Sequence, residues 1–223
     1  MEILKTLRHE FKYVMTYDEM LKLRKDLDSV LTLDRGGEYL VRSIYFDDFN
    51  DSDYYDKLNG EIVRKKVRLR TYDPDSDLVK LEIKNKNDIH QLKESLIISK
   101  KEAKEIINGN YDNLLLSNQE LAKKFYELFI SGYHPKVIIE YDRLAYISNT
   151  TTRITFDLNV RKSYDFDNFF KKELNNIELT NQNDVILEVK FDRFLEPYIN
   201  KILEKYTNRY QSVSKYMMGR NDR

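Results

Sequence analysis

Cysteine is absent from all 223 residues, which excludes disulfide staples, thiolate nucleophiles and zinc-thiolate sites. Tryptophan is absent as well, and there are only six glycines. Those glycines form neither a P-loop nor a G-x-G-x-x-G turn, so any grip on phosphate must come from side chains and not from a backbone cradle. His9, His90 and His134 are scattered without an H-x-x-x-H spacing, which speaks against imidazole ligation of a metal. Net charge is also missing, because 38 basic side chains balance 38 acidic ones. Global charge therefore draws the chain neither to nucleic acid nor to a membrane surface, and no nucleic-acid partner is expected. No apolar run reaches the length of a membrane span, and the opening MEILKTLRHEFKY lacks a signal-peptide core. These absences lead us to expect a soluble, cytoplasmic chain with one domain over residues 1–223.

What is present is charge in alternation. Period-two segments rich in Val, Ile, Tyr and Thr number about eight: RHEFKYVM, YLVRSIYF, IVRKKVRLRTY, LVKLEIKNK, ESLIIS, KVIIEYDRLAYIS, TTRITFDLNVR and VILEVKF. Helical spacing appears between them. Met20, Leu23, Leu27 and Leu31 recur at threes and fours behind Thr16 or Asp18. Ser99 with Glu102, and Ser117 with Glu120, read as capping boxes for two further helices. A last helix begins near Glu196 and extends toward SVSKYMMG. The acidic stretch FDDFNDSDYYD lacks the Gly and terminal Glu of an EF-hand and reads as a polar loop. Seventeen tyrosines and eleven phenylalanines suit strands and the helix-to-sheet interface. The neutral net charge weighs against their use as a base-stacking platform.

The charges fall on one face of each strand. Arg8, Glu10 and Lys12 share a face, as do Arg68 and Arg70. So do Lys80, Glu82, Lys84 and Lys86; Arg153, Thr155 and Asp157; and Glu188 with Lys190. Five cations crowd into residues 64 to 70 alone. For a single strand, a solvated face explains such a pattern. Several together suit an α+β fold whose antiparallel sheet closes into a barrel, with apolar faces under helices and charged faces lining a tunnel. So many cations facing inward require an anion. Arginine forks and lysine charges match phosphate oxygens, and the interleaved carboxylates match Mg or Mn bridging those phosphates.

The ordered set RHEFKY, SIYFDD, KVRLRTY, LEIKNK, IIEYDRLAY, RITFD, ILEVKFD and SVSKY resembles the VTC domain. That domain is the polyphosphate-polymerase module of the vacuolar transporter chaperone complex, in the CYTH-like triphosphate tunnel metalloenzyme superfamily. The resemblance runs from Arg8 to Tyr216. It implies an antiparallel eight-stranded β-tunnel with a C-terminal helix closing on it.

It also implies roles. Arg68, Arg70, Lys84, Arg143 and Arg153 would position phosphates. Lys12, Lys93, Tyr141, Ser214 and Lys215 would add substrate contacts. Glu188, helped by Glu10, would hold the Mn or Mg, and Arg8, Glu82, Lys86 and Lys190 would complete the tunnel wall. Glu82 reads equally as a cross-strand partner of an arginine. Where the superfamily opens with E-x-E-x-K, this chain has Arg8, Glu10 and Lys12, so one metal-binding carboxylate is missing. The implied reaction transfers the γ-phosphoryl group of ATP to inorganic polyphosphate. A triphosphatase and a non-catalytic polyphosphate-binding subunit are the alternatives, and a separate membrane protein is left open as a partner.

Overall fold

The structure, a computed structural model, describes residues 8–87, 90–149, 151–207 and 213–221; the side chains of Arg8, Arg35 and His90 lie outside the described set. The strands are β1 (Arg8–Thr16), β2 (Thr32–Asp47), β3 (Val63–Thr71), β4 (Leu78–Asn87), β5 (His90–Ser99), β6 (His134–Ile147), β7 (Arg153–Ser163), β8 (Ile177–Glu178) and β9 (Asp184–Asp192). The helices are α1 (Tyr17–Leu27), α2 (Ser52–Leu58), α3 (Lys100–Ile107), α4 (Asp112–Leu115), α5 (Glu120–Ile130), α6 (Pro197–Leu203) and α7 (Lys215–Arg220).

All pairings among the described strands are antiparallel, in the order β1-β9-β7-β6-β2-β3-β4-β5, with β8 added beside β7. Two parts of the expected barrel need correction. The sheet has nine strands among the described residues instead of eight, and no ladder joins β1 to β5. Alternation identifies a strand and its faces, but closure depends on tilt and stagger, which a period of two does not encode. Both terminal strands also carry inward charge, Glu10 and Lys12 on β1 and Lys93 on β5, and inward charge is a common means of blunting a sheet edge.

Apolar faces pack outward under helices, as alternation requires. Val67, Leu69, Leu81, Ile83 and Leu96 meet α3, α4 and α5 through Ala103, Leu114, Phe125 and Phe129. On the other half, Leu23, Leu27, Ile199 and Leu203 of α1 and α6 cover Phe156, Leu187 and Val189. Fully burying each such side chain stabilises the fold by about 1.5–3 kcal/mol relative to exposure. A third cluster, Val41, Val137, Ile139, Ile186 and Tyr216, seats α7 against the inner side of the sheet.

The local signals differ in outcome. Thr16 with Glu19, and Ser99 with Glu102, form complete capping boxes. Ser117 does not cap α5, which starts from Gln119; its hydroxyl accepts the Gln119 N–H at 3.2 Å in a tight turn instead. The acidic stretch is not all loop, because Ser52–Leu58 forms α2 after Asp47 takes the backbone N–H groups of Asp53 and Tyr54, each at 3.0 Å. The last helix is broken into α6 and α7. No helix among the described residues is long and apolar enough to cross a membrane.

Candidate functional site

The charged faces of β1, β3, β4, β5, β6, β7 and β9 converge on one cavity of about 660 Å³. Its lining brings together the expected Glu10, Lys12, Arg68, Arg70, Lys84, Lys93, Tyr141, Arg143, Arg153, Glu188, Lys190, Ser214 and Lys215. Lys86 is placed elsewhere, in a smaller adjoining pocket. Glu82 sits behind the wall, almost fully buried, where it accepts from Arg68 Nε at 2.6 Å and pairs with Lys93. That is the cross-strand ion-pair reading of Glu82. Arg8 lies outside the described side chains.

Arg143 is held in a two-pronged pair with Asp157, Nε to Oδ1 at 2.6 Å and Nη2 to Oδ2 at 2.7 Å. Lys215 reaches the same carboxylate at 2.5 Å and also lies 3.4 Å from Glu188. Tyr141 is a shelf for both cations: the Lys215 ammonium sits 4.8 Å and the Arg143 guanidinium 5.1 Å from its ring centre. Arg70 donates to the Ser43 hydroxyl at 3.0 Å and to the Tyr141 hydroxyl at 3.4 Å. Arg153 is tied to Asp34 at 2.6 Å and to the Tyr39 hydroxyl at 2.9 Å.

Glu188 is the electrostatic hub. Lys190 lies 2.6 Å away, Lys12 3.3 Å, Lys215 3.4 Å and Arg143 3.6 Å. Burial alone would raise its carboxyl, yet these four cations hold it well below the ordinary carboxylate range. Glu10 behaves likewise under Lys190, Lys12 and Lys84. Lys66 is the opposite case. Burial first, then Lys12, Lys84, Lys57 and Arg68, push its ammonium down to about 7, and it donates to the Ser214 hydroxyl at 3.0 Å.

Among the described residues no group of three or more His, Cys, Asp or Glu is placed to hold a metal. Glu10 and Glu188 share Lys12, at 3.1 and 3.3 Å, and offer hard oxygen donors from adjacent strands. That donor set fits magnesium or manganese arriving with phosphates of its own, which needs only one or two protein carboxylates; it does not fit an ion caged by protein alone.

Sequence reasoning left several lining residues unassigned. Lys66 and Lys80 share the parity of Arg68, Arg70 and Lys84 on their strands, so alternation carried the signal. Tyr39 and Tyr45 share a face of β2. Asp34 lines the same cavity from the opposite parity, because the register shifts between Leu33 and Glu38. Tyr216 reaches in from α7 as the last residue of the SVSKY element, to which no role had been given beyond Ser214 and Lys215.

The chain matches the VTC domain family over residues 7–221. No curated protein matches it. Among solved structures it is similar to a candidate adenylate cyclase from Bacillus halodurans, at 16% identity and a TM-score of 0.55, over 92% of this chain and 89% of that one. It is also similar to the candidate adenylyl cyclase HpAC1 from Hippeastrum, a protein with a dominant triphosphatase activity. There the identity is 13% and the TM-score 0.57, over 95% of this chain and 94% of that one. These likenesses are of fold.

Proposed function

The chain belongs to the VTC domain family, and from that premise we propose that it acts on triphosphates in this cavity as a polyphosphate polymerase, moving the γ-phosphoryl group of ATP onto inorganic polyphosphate. The observation that carries the reading is the convergence of eleven lysines and arginines named above, with Glu10 and Glu188 among them, on a single cavity.

Phosphoryl transfer asks little covalent chemistry of a protein. It asks for in-line placement and for neutralisation of the oxygens around the transferred phosphorus. Arg68 and Arg70 grip from β3, Lys84 from β4, Arg143 from β6 and Arg153 from β7. Lys12, Lys93, Lys215 and Ser214 add contacts from other directions, and Tyr141 orients Arg70, Arg143 and Lys215. The bond between the γ-phosphorus and its bridging oxygen breaks as a terminal oxygen of the acceptor chain bonds to that phosphorus, and ADP departs. No side chain serves as nucleophile, because the acceptor is itself a phosphate. Glu188 and Glu10 would hold a magnesium or manganese ion, which would supply positive charge to offset that of the phosphates.

The second reading is hydrolysis in the same cavity, favoured by the triphosphatase activity of the Hippeastrum protein. Against it, Glu10 and Glu188 are both engaged by lysines, which suits neither to activating water. The test incubates purified protein with ATP and MnCl2, resolves polyphosphate on a gel, and assays ADP and free phosphate in parallel, with Glu188→Ala alongside and its fold checked by circular dichroism. Polymer formed with matching ADP, and lost in the folded variant, supports the polymerase. Free phosphate without polymer supports the triphosphatase, and tight triphosphate binding without turnover supports a binding subunit.

A further inference from the structure

Beside the main cavity lies a pocket of about 110 Å³, lined by Lys57, Arg64, Lys65, Lys66, Lys84, Lys86 and Gln91. None of these is acidic and none is aromatic. The two spaces share Lys66, Lys84 and Gln91 as a common wall, so they are contiguous.

The register of the β3–β4 hairpin makes this pocket expensive to build. Arg64 stands directly opposite Lys86, and Lys66 directly opposite Lys84, whose other neighbour on β5 is Lys93. Like charges facing each other across strands destabilise a sheet, where opposite charges would stabilise it. Deeper in the same hairpin the register sets Arg68 against Glu82. The register thus sets a carboxylate opposite Arg68 but none opposite Arg64 or Lys66, and Lys84 finds its carboxylate only across the cavity, on Glu10 of β1 at 3.2 Å. The helix that borders the pocket adds to the field: Lys57 of α2 is pushed down from its ordinary range by burial, then by Arg64, Lys12 and Lys86.

We propose that this outer pocket is a second anion site, which holds the segment of a linear polyphosphate that extends beyond the phosphates seated in the main cavity. The inference rests on the triphosphate reading of that cavity. A bare polyanion is the occupant that fits. A nucleotide's base would find no ring here to stack on, and an isolated phosphate would not use the continuity of the two spaces. Repeating charge along a flexible chain meets repeating cations along the strands, from Lys84 and Lys66 out to Arg64 and Lys86. The functional consequence is selectivity for chain length: tripolyphosphate fills the inner site alone, and a long chain engages both.

The experiment titrates tripolyphosphate and a long-chain polyphosphate into wild type and into Arg64→Gln/Lys86→Gln by calorimetry, over a series of salt concentrations. Wild type is expected to bind the long chain more tightly and with a steeper dependence on salt. The double variant is expected to bind it about tenfold more weakly, with a shallower salt slope, and to keep its tripolyphosphate affinity. Retained tripolyphosphate binding also shows that the variant is folded. Lys86→Glu, which reverses a charge, is expected to lower long-chain affinity further than Lys86→Gln. If tripolyphosphate binds but wild type shows no preference for the long chain, or the double variant keeps that preference, the outer site is overturned and the main cavity stands. If wild type binds neither compound, the triphosphate reading itself fails, and the outer site with it.

Discussion

Arg143 on β6 and Asp157 on β7 are direct cross-strand partners, and the same Asp157 carboxylate fixes Lys215 of α7. One buried anion thereby sets the position of two cations that arrive from different elements. Removing it in Asp157→Ala leaves both buried without that partner. Breaking a buried pair in this way costs about 3–5 kcal/mol, read as a lowered urea midpoint with an unchanged slope. A midpoint equal to that of wild type would show that Asp157 anchors neither residue.

The seat of α7 depends on a residue with no side chain. A Cβ on Gly219 would lie 2.3 Å from Ile139 Cδ1 and 3.2 Å from Val137 Cγ2. Gly219→Ala is expected to push α7 off the inner face, withdraw Lys215 from the cavity and weaken tripolyphosphate binding. Ile139→Val removes the nearest of those atoms, so Gly219→Ala/Ile139→Val should recover part of the loss. Titration of the single and double variants decides this, and a double variant no better than the single one would argue against the packing explanation.

Lys66 makes anion binding consume protons. Its ammonium titrates at about 7 in the folded protein, against 10.5 ordinarily, so above neutrality the folded chain holds it neutral. A phosphate placed beside it favours the charged form. Tripolyphosphate binding at about pH 8 should therefore take up protons, visible as a calorimetric enthalpy that varies with the buffer's ionisation enthalpy. Proton uptake should be smaller in Lys66→Met than in wild type at about pH 8, and the difference between the two should shrink at about pH 6. For stability the sign follows from the lowered value: the penalty is full below about 7 and eases as pH rises toward 10.5. Lys66→Met should accordingly raise the melting temperature more in mild acid than in mild base.

Asp53 carries the reverse linkage. Burial, and then the neighbouring Asp47, raise its carboxyl to about 7 from an ordinary 3.8. Its Oδ1 accepts the Tyr133 hydroxyl at 3.0 Å, while Oδ2 is buried without a hydrogen bond. Between those two values the unfolded chain has released a proton that the folded chain still holds, so stability falls as pH rises through that window and the penalty is full above it. Asp53→Asn should raise the melting temperature near neutrality and above, with little effect in acid. An equal effect at every pH would rule out this titration.

Much of the molecule was legible because strand faces obey a period of two that survives folding. The parity of Arg68 and Arg70 and of Glu188 and Lys190 put each of these side chains on the cavity side, where the resemblance also set Tyr141 and Arg143. Short-range chemistry was legible where a motif is self-contained, as with Ser99 and Glu102. Ser117 and Glu120 have the same spacing, but Ser117 turns back on Gln119, and spacing alone cannot tell a cap from a turn. Asp34 was hidden by a register shift. The outer pocket depends on which residue of β4 faces which of β3, a register that the hairpin fixes and neither strand states alone.

The seam between β1 and β5 gives the cavity an unusual wall. Where a closed barrel would have a ladder of backbone hydrogen bonds, this one has side chains, among them Lys84 of β4 reaching Glu10 of β1 at 3.2 Å. The Lys84 side chain is 39% exposed, so solvent ions reach that contact. A ladder does not depend on ionic strength, but an ion pair with one exposed partner is weakened by salt. The two ends of the sheet are thus linked here by a contact whose strength varies with the salt around it, as that of a backbone ladder does not.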